Sequence, residues 1–432
     1  MKNLNYQTDI LERFIPISLN YLISDLLKSD LLLSDQREPF KQFCTCYISL
    51  FHAHSHKQMQ YLKSIYQPFN PDRDTLILNK KELSKQLTQL KSELYSVLEN
   101  ANYEKISEQD LNQALNKISP HGVKVSVDFE DFTEVALFYR GSATHTEFHR
   151  NWKQFKFKKQ QVEVQVFRRL FILLQPKNRE QWIKHLTINK KLSLKKAKKQ
   201  VDASFKSLAI SGENDVVYMK LFKDIPRADL EMLFPNTRIQ IRLFDKIKLG
   251  IMGGGGTAGG IMATITKLTA SIDPVSALIA VGGLLGVIWR QIAKIFSQRA
   301  KYSAILTKNL YFYSLNNNMG ALTYLVDSAE NEECKEAILA YFFLLTGGKS
   351  NRHTLDKRIE DYILQQYAIP MNFEIDDGLE KLDNSKLLSH NDDAITALPL
   401  NEANTTLMQQ WNHLIHNNAR PNNEEYNNVD SQ

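Results

Sequence analysis

The sequence predicts an α+β membrane protein. Its parts are a helical N-terminal region, a small and mostly antiparallel β domain, a two-helix transmembrane hairpin and a helical, winged-helix-like C-terminal region. Three observations predict it. Apolar residues recur at helical spacing through the first 120 residues and again after residue 297. Alternating segments rich in β-branched and aromatic residues fill residues 121–235. Two long uncharged stretches lie between Leu249 and Trp289.

Residues 1–120 form the helical N-terminal region. ILERFIPISLNYLISDLL and the span from Phe40 to Tyr66 carry helical periods. PFNPDRDT marks a turn, and Lys80 to Glu99 gives a further helix with leucines three and four apart. His52, His54 and His56 near Cys44 and Cys46 raise metal binding. On a helix, however, only His52 and His56 share a face, and no paired C-x-x-C or H-E-x-x-H accompanies them. A polar helix face is the plainer reading, and no metal site is expected.

Residues 121–235 form the β domain. VKVSVDF, TEVALFYRG, QVEVQVFRRLFILLQ and DVVYMKLF alternate as strands do. Gly141 reads as a strand exit, and Phe129, Phe132, Phe138 and Tyr139 as core. A basic segment, 184–199, contains Lys190, Lys191, Lys195, Lys196, Lys198 and Lys199. These lysines form a solvated helix face or a contact with anionic lipid, at about 1 kcal/mol per nearby cation. Asp224, Asp229 and Glu231 resemble an acid/base set. Acidic residues after Pro226 are better explained as a first helical turn that complements the macrodipole.

The hairpin is expected over 247–293. LGIMGGGGTAGGIMATIT and PVSALIAVGGLLGVIW carry no charge and are joined by KLTASID. As helices each spans roughly 24–27 Å at about 1.5 Å per residue, just under a hydrocarbon core of about 30 Å. Arg238, Arg242, Lys246 and Lys248 precede the pair, and Arg290, Lys294, Arg299 and Lys301 follow it, as the positive-inside rule requires. Gly255 and Gly259, and Gly282 and Gly286, are small-xxx-small pairs for helix packing in lipid. Lys246, Lys248, Trp289 and Arg290 stand as interfacial anchors. A buried helical hairpin away from lipid is the competing reading.

Residues 297–347 read as two helices broken at Asn316–Asn318, with Glu332, Glu333 and Glu336 on the polar side of the second. Residues 350–417 alternate helices with short extended pieces in a winged-helix-like order. Asp376, Asp377, Glu380 and Asp383 make the second helix there acidic, which disfavours nucleic acid and favours a protein partner. Residues 418–432 read as a disordered tail.

Composition narrows the class further. The 432 residues suffice for two or three compact domains. A hydrophobic content of 43% and a mean hydropathy of −0.35 exclude a polytopic transporter. A net charge of +6 is too mild to argue for nucleic acid. Three cysteines make no disulfide framework and suit a reducing compartment. The N-terminus lacks a signal peptide's apolar run. Two glycine-bearing segments fall short of a P-loop. Gly254 and Gly259 are followed by Gly260 and Ile261, and Phe343 precedes TGGKS where the first glycine belongs. No cofactor is expected.

LERFIPISLNYLI, YQPFNPDRDT, VDFEDFTEVALFYRG, LFKDIPRADLEMLFP and KNLYFYSLNNNMGALTYLVDSAENEECKEAILAYFFLL resemble, in order, one family. It is the transmembrane-protein-143-like family, named for a mitochondrial protein of animals and defined by a domain of unknown function (family 3754). The resemblance covers residues 10–415. It implies a two-pass membrane protein and supplies no catalytic residues.

The expected function is a non-enzymatic anchor, sensor or partner-binding protein of the bacterial inner membrane, with both termini cytoplasmic and with self-association. Its partners would be the bilayer, anionic lipid and a protein at the C-terminal domain. Two alternatives stay open: a pore-forming effector, and a tethered enzyme acting on lipid or nucleotide. His145, Glu147, His149 and Asp224 are the residues whose convergence would favour the enzyme.

Overall fold

The computed structural model describes residues 11–74, 83–107, 109–111, 124–150, 159–208, 215–227, 230, 233–234, 238–240, 311–391 and 394–418. In chain order the elements are α1 (Leu19–Lys28), α2 (Arg37–Tyr66), α3 (Leu83–Asn100), β1 (Glu104–Lys105), β2 (Lys124–Ser126), β3 (Phe132–Arg150), β4 (Lys159–Pro176), α4 (Arg179–Ile188), α5 (Leu194–Leu208), β5 (Tyr218–Pro226), β6 (Arg238–Gln240), β7 (Ser314–Asn317), α6 (Asn318–Gly347), α7 (Arg352–Tyr367), α8 (Ile375–Asn384), β8 (Leu388–Asn391), β9 (Ala394–Ala397) and α9 (Leu400–Asn418).

Alternation in the middle of the chain produces a five-stranded antiparallel sheet of order β1-β3-β4-β5-β7. Leu137, Leu170, Ile172, Leu174 and Phe222 point to one face, where Phe132, Leu230, Leu233 and Phe234 cover them. Phe138, Phe171, Leu173, Met219 and Leu221 point to the other, against α2, α3 and the first half of α6. Side chains on successive strand residues face opposite sides, so each strand serves both layers. Gly141 does not end its strand. β3 continues past it, with Arg140 opposite Arg169 and Ser142 opposite Phe167. Gly141 has φ +75°, and an added Cβ would lie 2.8 Å from the Phe14 ring. Only glycine suits both constraints.

Helix α6 joins the two halves of the fold. At 30 residues it runs about 45 Å. Ala321, Leu322 and Leu325 pack on the sheet. Ile338, Leu339, Tyr341, Phe342 and Phe343 sit among α1, α2, α7, α8 and α9. The Phe43 and Tyr341 rings stack there, with centroids 3.9 Å apart. A helix apolar on every side is a buried helix.

Local chemistry sets the element ends. Asn178 and Gln181 form a reciprocal capping box at the start of α4. The Asn351 side chain accepts from the Thr354 N–H at the start of α7. Gly348, at φ +68°, closes α6. Residues 311–313 are helical and strand β7 separates them from α6, so the break expected at 316–318 is present, as extended chain. Asn316 and Asn317 end strand β7, and Asn318 is buried as the first residue of α6. Asn318 accepts from the Met219 N–H and donates to Asp72.

The transmembrane hairpin is corrected. Among the described residues, no helix is long and apolar enough to cross a membrane. Helices α2 and α6 have the length, but Arg37, Lys41, Lys57 and Lys63 interrupt one and Asp327, Glu330, Glu332 and Lys335 the other. Residues 247–293, where the hairpin was expected, lie outside the described residues. What is described is a mixed α/β fold with a small antiparallel sheet. The membrane and transmembrane character, and the inner-membrane location with cytoplasmic termini, are withdrawn with the hairpin.

Candidate functional site

The three acids expected on a polar helix face are the most buried charges described. Glu332, Glu333, Lys335 and Glu336 are 3, 7, 4 and 1% exposed. Each finds a partner far away in sequence. Lys335 donates to Glu332 at 2.7 Å and to the Ile15 carbonyl at 2.6 Å, while Glu332 accepts from the Ile15 N–H at 3.0 Å. Glu333 accepts from Asn100 and pairs with Lys381, both at 2.9 Å. Glu336 accepts from Asn102 at 2.8 Å. The Arg140 guanidinium stands 3.7 Å from Glu332 and lies over the Phe14 and Tyr103 rings.

This network clamps residues 11–17 as a strap. Glu12 accepts from the Ser142 N–H at 2.8 Å and bridges Met371 through its backbone. Arg13 pairs with Glu374. The charges are consumed in holding strap, sheet and C-terminal helices together, so the cluster is a structural tie.

The tie has a pH signature. Burial pushes the Glu336 carboxyl well above its ordinary 4.5, and Glu332, Asp377 and Glu333 add to it. Burial also raises Glu333, against the pull of Lys381. These folded acids keep protons that the unfolded chain releases. The stability they contribute is complete below about 4.5 and is lost as pH rises through their raised folded values. Lys335, shifted down by burial, adds stability back only as pH rises toward its ordinary 10.5. We expect the urea midpoint to fall as pH rises above about 4.5, and Glu336→Gln to flatten that fall. An unchanged slope in the variant would count against the assignment.

A groove of about 470 Å³ opens on the outer side of α7. Leu31, Phe343 and Tyr362 supply apolar surface, Lys357 and Arg358 supply cations and His353 an imidazole, with Asp361 the one acid in the lining. Helical spacing makes this wall, since 353, 357 and 361 recur every four residues along one face, as do 354, 358 and 362. Arg358 donates to the Phe343 carbonyl at 3.3 Å and so sits at the negative end of α6. Leu31, Leu33 and Leu364 are 54, 62 and 48% exposed.

The other sequence-expected residues are dispersed. Gly255, Gly259, Gly282, Gly286, Lys246, Lys248, Trp289 and Arg290 lie outside the described residues. Lys191, Lys195, Lys196, Lys198 and Lys199 are exposed on the α4–α5 hairpin, whose own small core is Trp182, Leu186, Ala197 and Val201. Lys190 pairs with Glu130 at 3.2 Å. His145, Glu147 and His149 are register positions opposite Val164, Val162 and Gln160, on a ribbon that extends beyond the end of β5. Asp224 is exposed on β5. The backbone therefore places the three ribbon residues past the strand that holds Asp224.

His52 pairs with Glu330 at 2.9 Å, and His54 bonds the Leu50 carbonyl at 2.8 Å. Among the described residues no group of three or more His, Cys, Asp or Glu could hold a metal ion. Cys44 and Cys334 are buried thiols whose pKa values burial pushes up. TGGKS links helix α6 to helix α7, with Ser350 bridging Ile395, and lacks the strand that precedes a P-loop. Asp229 and Glu231 lie outside the described residues.

Sequence reasoning missed the groove. The four-residue recurrence of His353, Lys357 and Asp361 was a legible signal, but Leu31 joins them only through the tertiary fold.

Residues 132–320 match a family described as protein of unknown function (DUF3754). The match spans strands β3, β4, β5 and β7 of the sheet and the start of α6. No solved structure matches the chain.

Proposed function

We propose that this chain is a partner-binding protein whose α7 groove receives an acidic segment of another protein, anchored by an apolar side chain. The groove itself carries the reading. Its lining joins the apolar Leu31, Phe343 and Tyr362 to the cations of Lys357 and Arg358 against one acid, and Leu31 is 54% exposed. Apolar anchors in pockets supply most binding energy, and charge complementarity supplies rate and selectivity. Nucleic acid is disfavoured because the outward residues of α8 include Asp376, Glu380 and Asp383. The ordered sequence motifs also support kinship with the transmembrane-protein-143-like family, a kinship that says nothing of where this chain resides.

The test is selection of random twelve-residue peptides on the full chain. We expect enrichment of acidic residues around Leu, Phe or Trp. Lys357→Glu and Leu31→Glu should each weaken the selected peptides at least about tenfold, a loss of roughly 1.4 kcal/mol. Selected peptides lacking acidic residues, or binding both variants undiminished, would overturn the reading.

A further inference from the structure

Helices α4 and α5 form a hairpin with a core of its own, Trp182, Leu186, Ala197 and Val201. From Gln181 to Val201 the chain holds seven lysines and no acidic residue. Lys190 is engaged by Asp128 and Glu130, at 3.7 and 3.2 Å, which ties the turn between the helices to the segment before β3. Lys191, Lys195, Lys196, Lys198 and Lys199 are exposed, and none makes an ion pair among the described residues. Asp202, further along α5, is taken by Arg179 at 2.9 Å. Lys195 and Lys199 share the face of α5 opposite the buried Ala197, and Lys196 and Lys198 flank that face on either side.

Two aliphatic side chains stand with the cations. Ile188 ends α4 and Leu194 begins α5, and they are 62 and 56% exposed on either side of the turn. Leu194 to Lys199 covers about 7.5 Å of helix, less than the screening length of about 10 Å at 0.1 M salt, so the cations act as one patch. A nucleic-acid duplex would use the lysines alone, and a single strand would need exposed aromatic rings for its bases. The rings of this hairpin turn inward: Trp182 is 5% exposed and meets Phe205 edge-on. Aliphatic tips among lysines suit the boundary between lipid headgroups and acyl chains. There the lysine stems lie along apolar surface while their ammoniums reach the phosphates.

We propose that the open end of the α4–α5 hairpin binds the surface of an anionic lipid bilayer. Lys191, Lys195, Lys196, Lys198 and Lys199 take the headgroup phosphates and carboxylates, and Ile188 and Leu194 enter the boundary beneath them. The contact is peripheral. It requires no spanning helix, and it is separate from the α7 groove and its occupant.

The test is co-sedimentation of the full chain with phosphatidylcholine vesicles, with and without phosphatidylserine. Phosphatidylserine should raise the bound fraction. Raising salt from about 0.1 to 1 M should remove that gain, because the screening length falls from about 10 to 3 Å. Each lysine near such a surface is worth about fivefold in affinity. The pair Lys195→Glu, Lys199→Glu should therefore weaken binding at least about 25-fold. The pair Ile188→Ser, Leu194→Ser should weaken it at least about tenfold. All four positions are exposed, so the melting midpoints should match the parent's; if the Glu pair lowers its midpoint, Lys195→Gln, Lys199→Gln gives the same reading without reversed charge. Lys357→Glu, in the α7 groove, should bind vesicles as the parent does. Equal binding with and without phosphatidylserine, or undiminished binding by the lysine pair, would overturn the proposal. A second arm offers a DNA duplex of random sequence. Vesicle binding unchanged in the Ser pair, with the duplex bound as tightly as the vesicles, would overturn the lipid assignment and give the patch to a nucleic-acid backbone.

Discussion

Lys335→Met is expected to destabilise the fold by about 3–5 kcal/mol, the usual result of removing one partner from a buried ion pair. Glu332 would lose its closest cation, and the Ile15 carbonyl would lose its donor. Arg140, at 3.7 Å from Glu332, remains as a weaker partner and favours the lower half of that range. The double variant Lys335→Met, Glu332→Leu removes both charges and should recover much of the loss. It cannot recover all of it, because both backbone groups of Ile15 are then unpartnered. Urea denaturation of parent, single and double variants decides this. A single-variant loss under about 1 kcal/mol would mean that the pair is not the tie it resembles.

Gly378→Ala should also destabilise, and the sign is the informative part. In an exposed helix, alanine is better than glycine by about 1 kcal/mol. At Gly378 the new methyl would lie 2.9 Å from the Glu336 carbonyl oxygen and 3.1 Å from its carbon. Both atoms are backbone, so relief requires α8 to shift away from α6. Overpacking of this kind costs about 1–3 kcal/mol, enough to reverse the propensity gain. Hydrogen exchange should quicken in α8 and α9 before it changes in the sheet. A variant more stable than the parent would show that the two helices are less closely packed than described.

The sheet was legible because alternation is a local property. A residue pair two apart reports its face without any knowledge of the partner strand, and the expected strands fall on β2 to β5. Helix α6 was legible in its second half, where apolar residues occupy every side. Its acids were not. Glu333 and Glu336 fit a polar stripe when read locally, and only Asn100, Asn102 and Lys381, from other elements, make their burial affordable. Gly141 was recognised as special, but its reason, the Phe14 ring from the strap, is more than a hundred residues away. Asn316–Asn318 read as a cap because asparagine favours helix ends. Asn317 does stand at a helix end, as the N-cap of α6, while the pairing of Asn316 and Asn317 with β5 is a contact that a local reading does not show. The glycine-rich stretch was weighed by length, flanking charge, glycine spacing and interfacial anchors, and no helix of the described residues has the membrane character inferred from it.

The strap also bears on how the chain is made. Ile15 closes on Glu332, 317 residues later, and Tyr47 and Phe43 wait for Tyr341 and the final helices. At about 5–20 residues per second, a ribosome needs roughly 15–60 s to cover that separation. Through that interval α1, α2 and α3 have one another to pack on, but not α6. The core that α1 and α2 share with α6 therefore closes late in synthesis. The apolar surface of α1 and α2 that faces α6 stays uncovered until α6 has been translated.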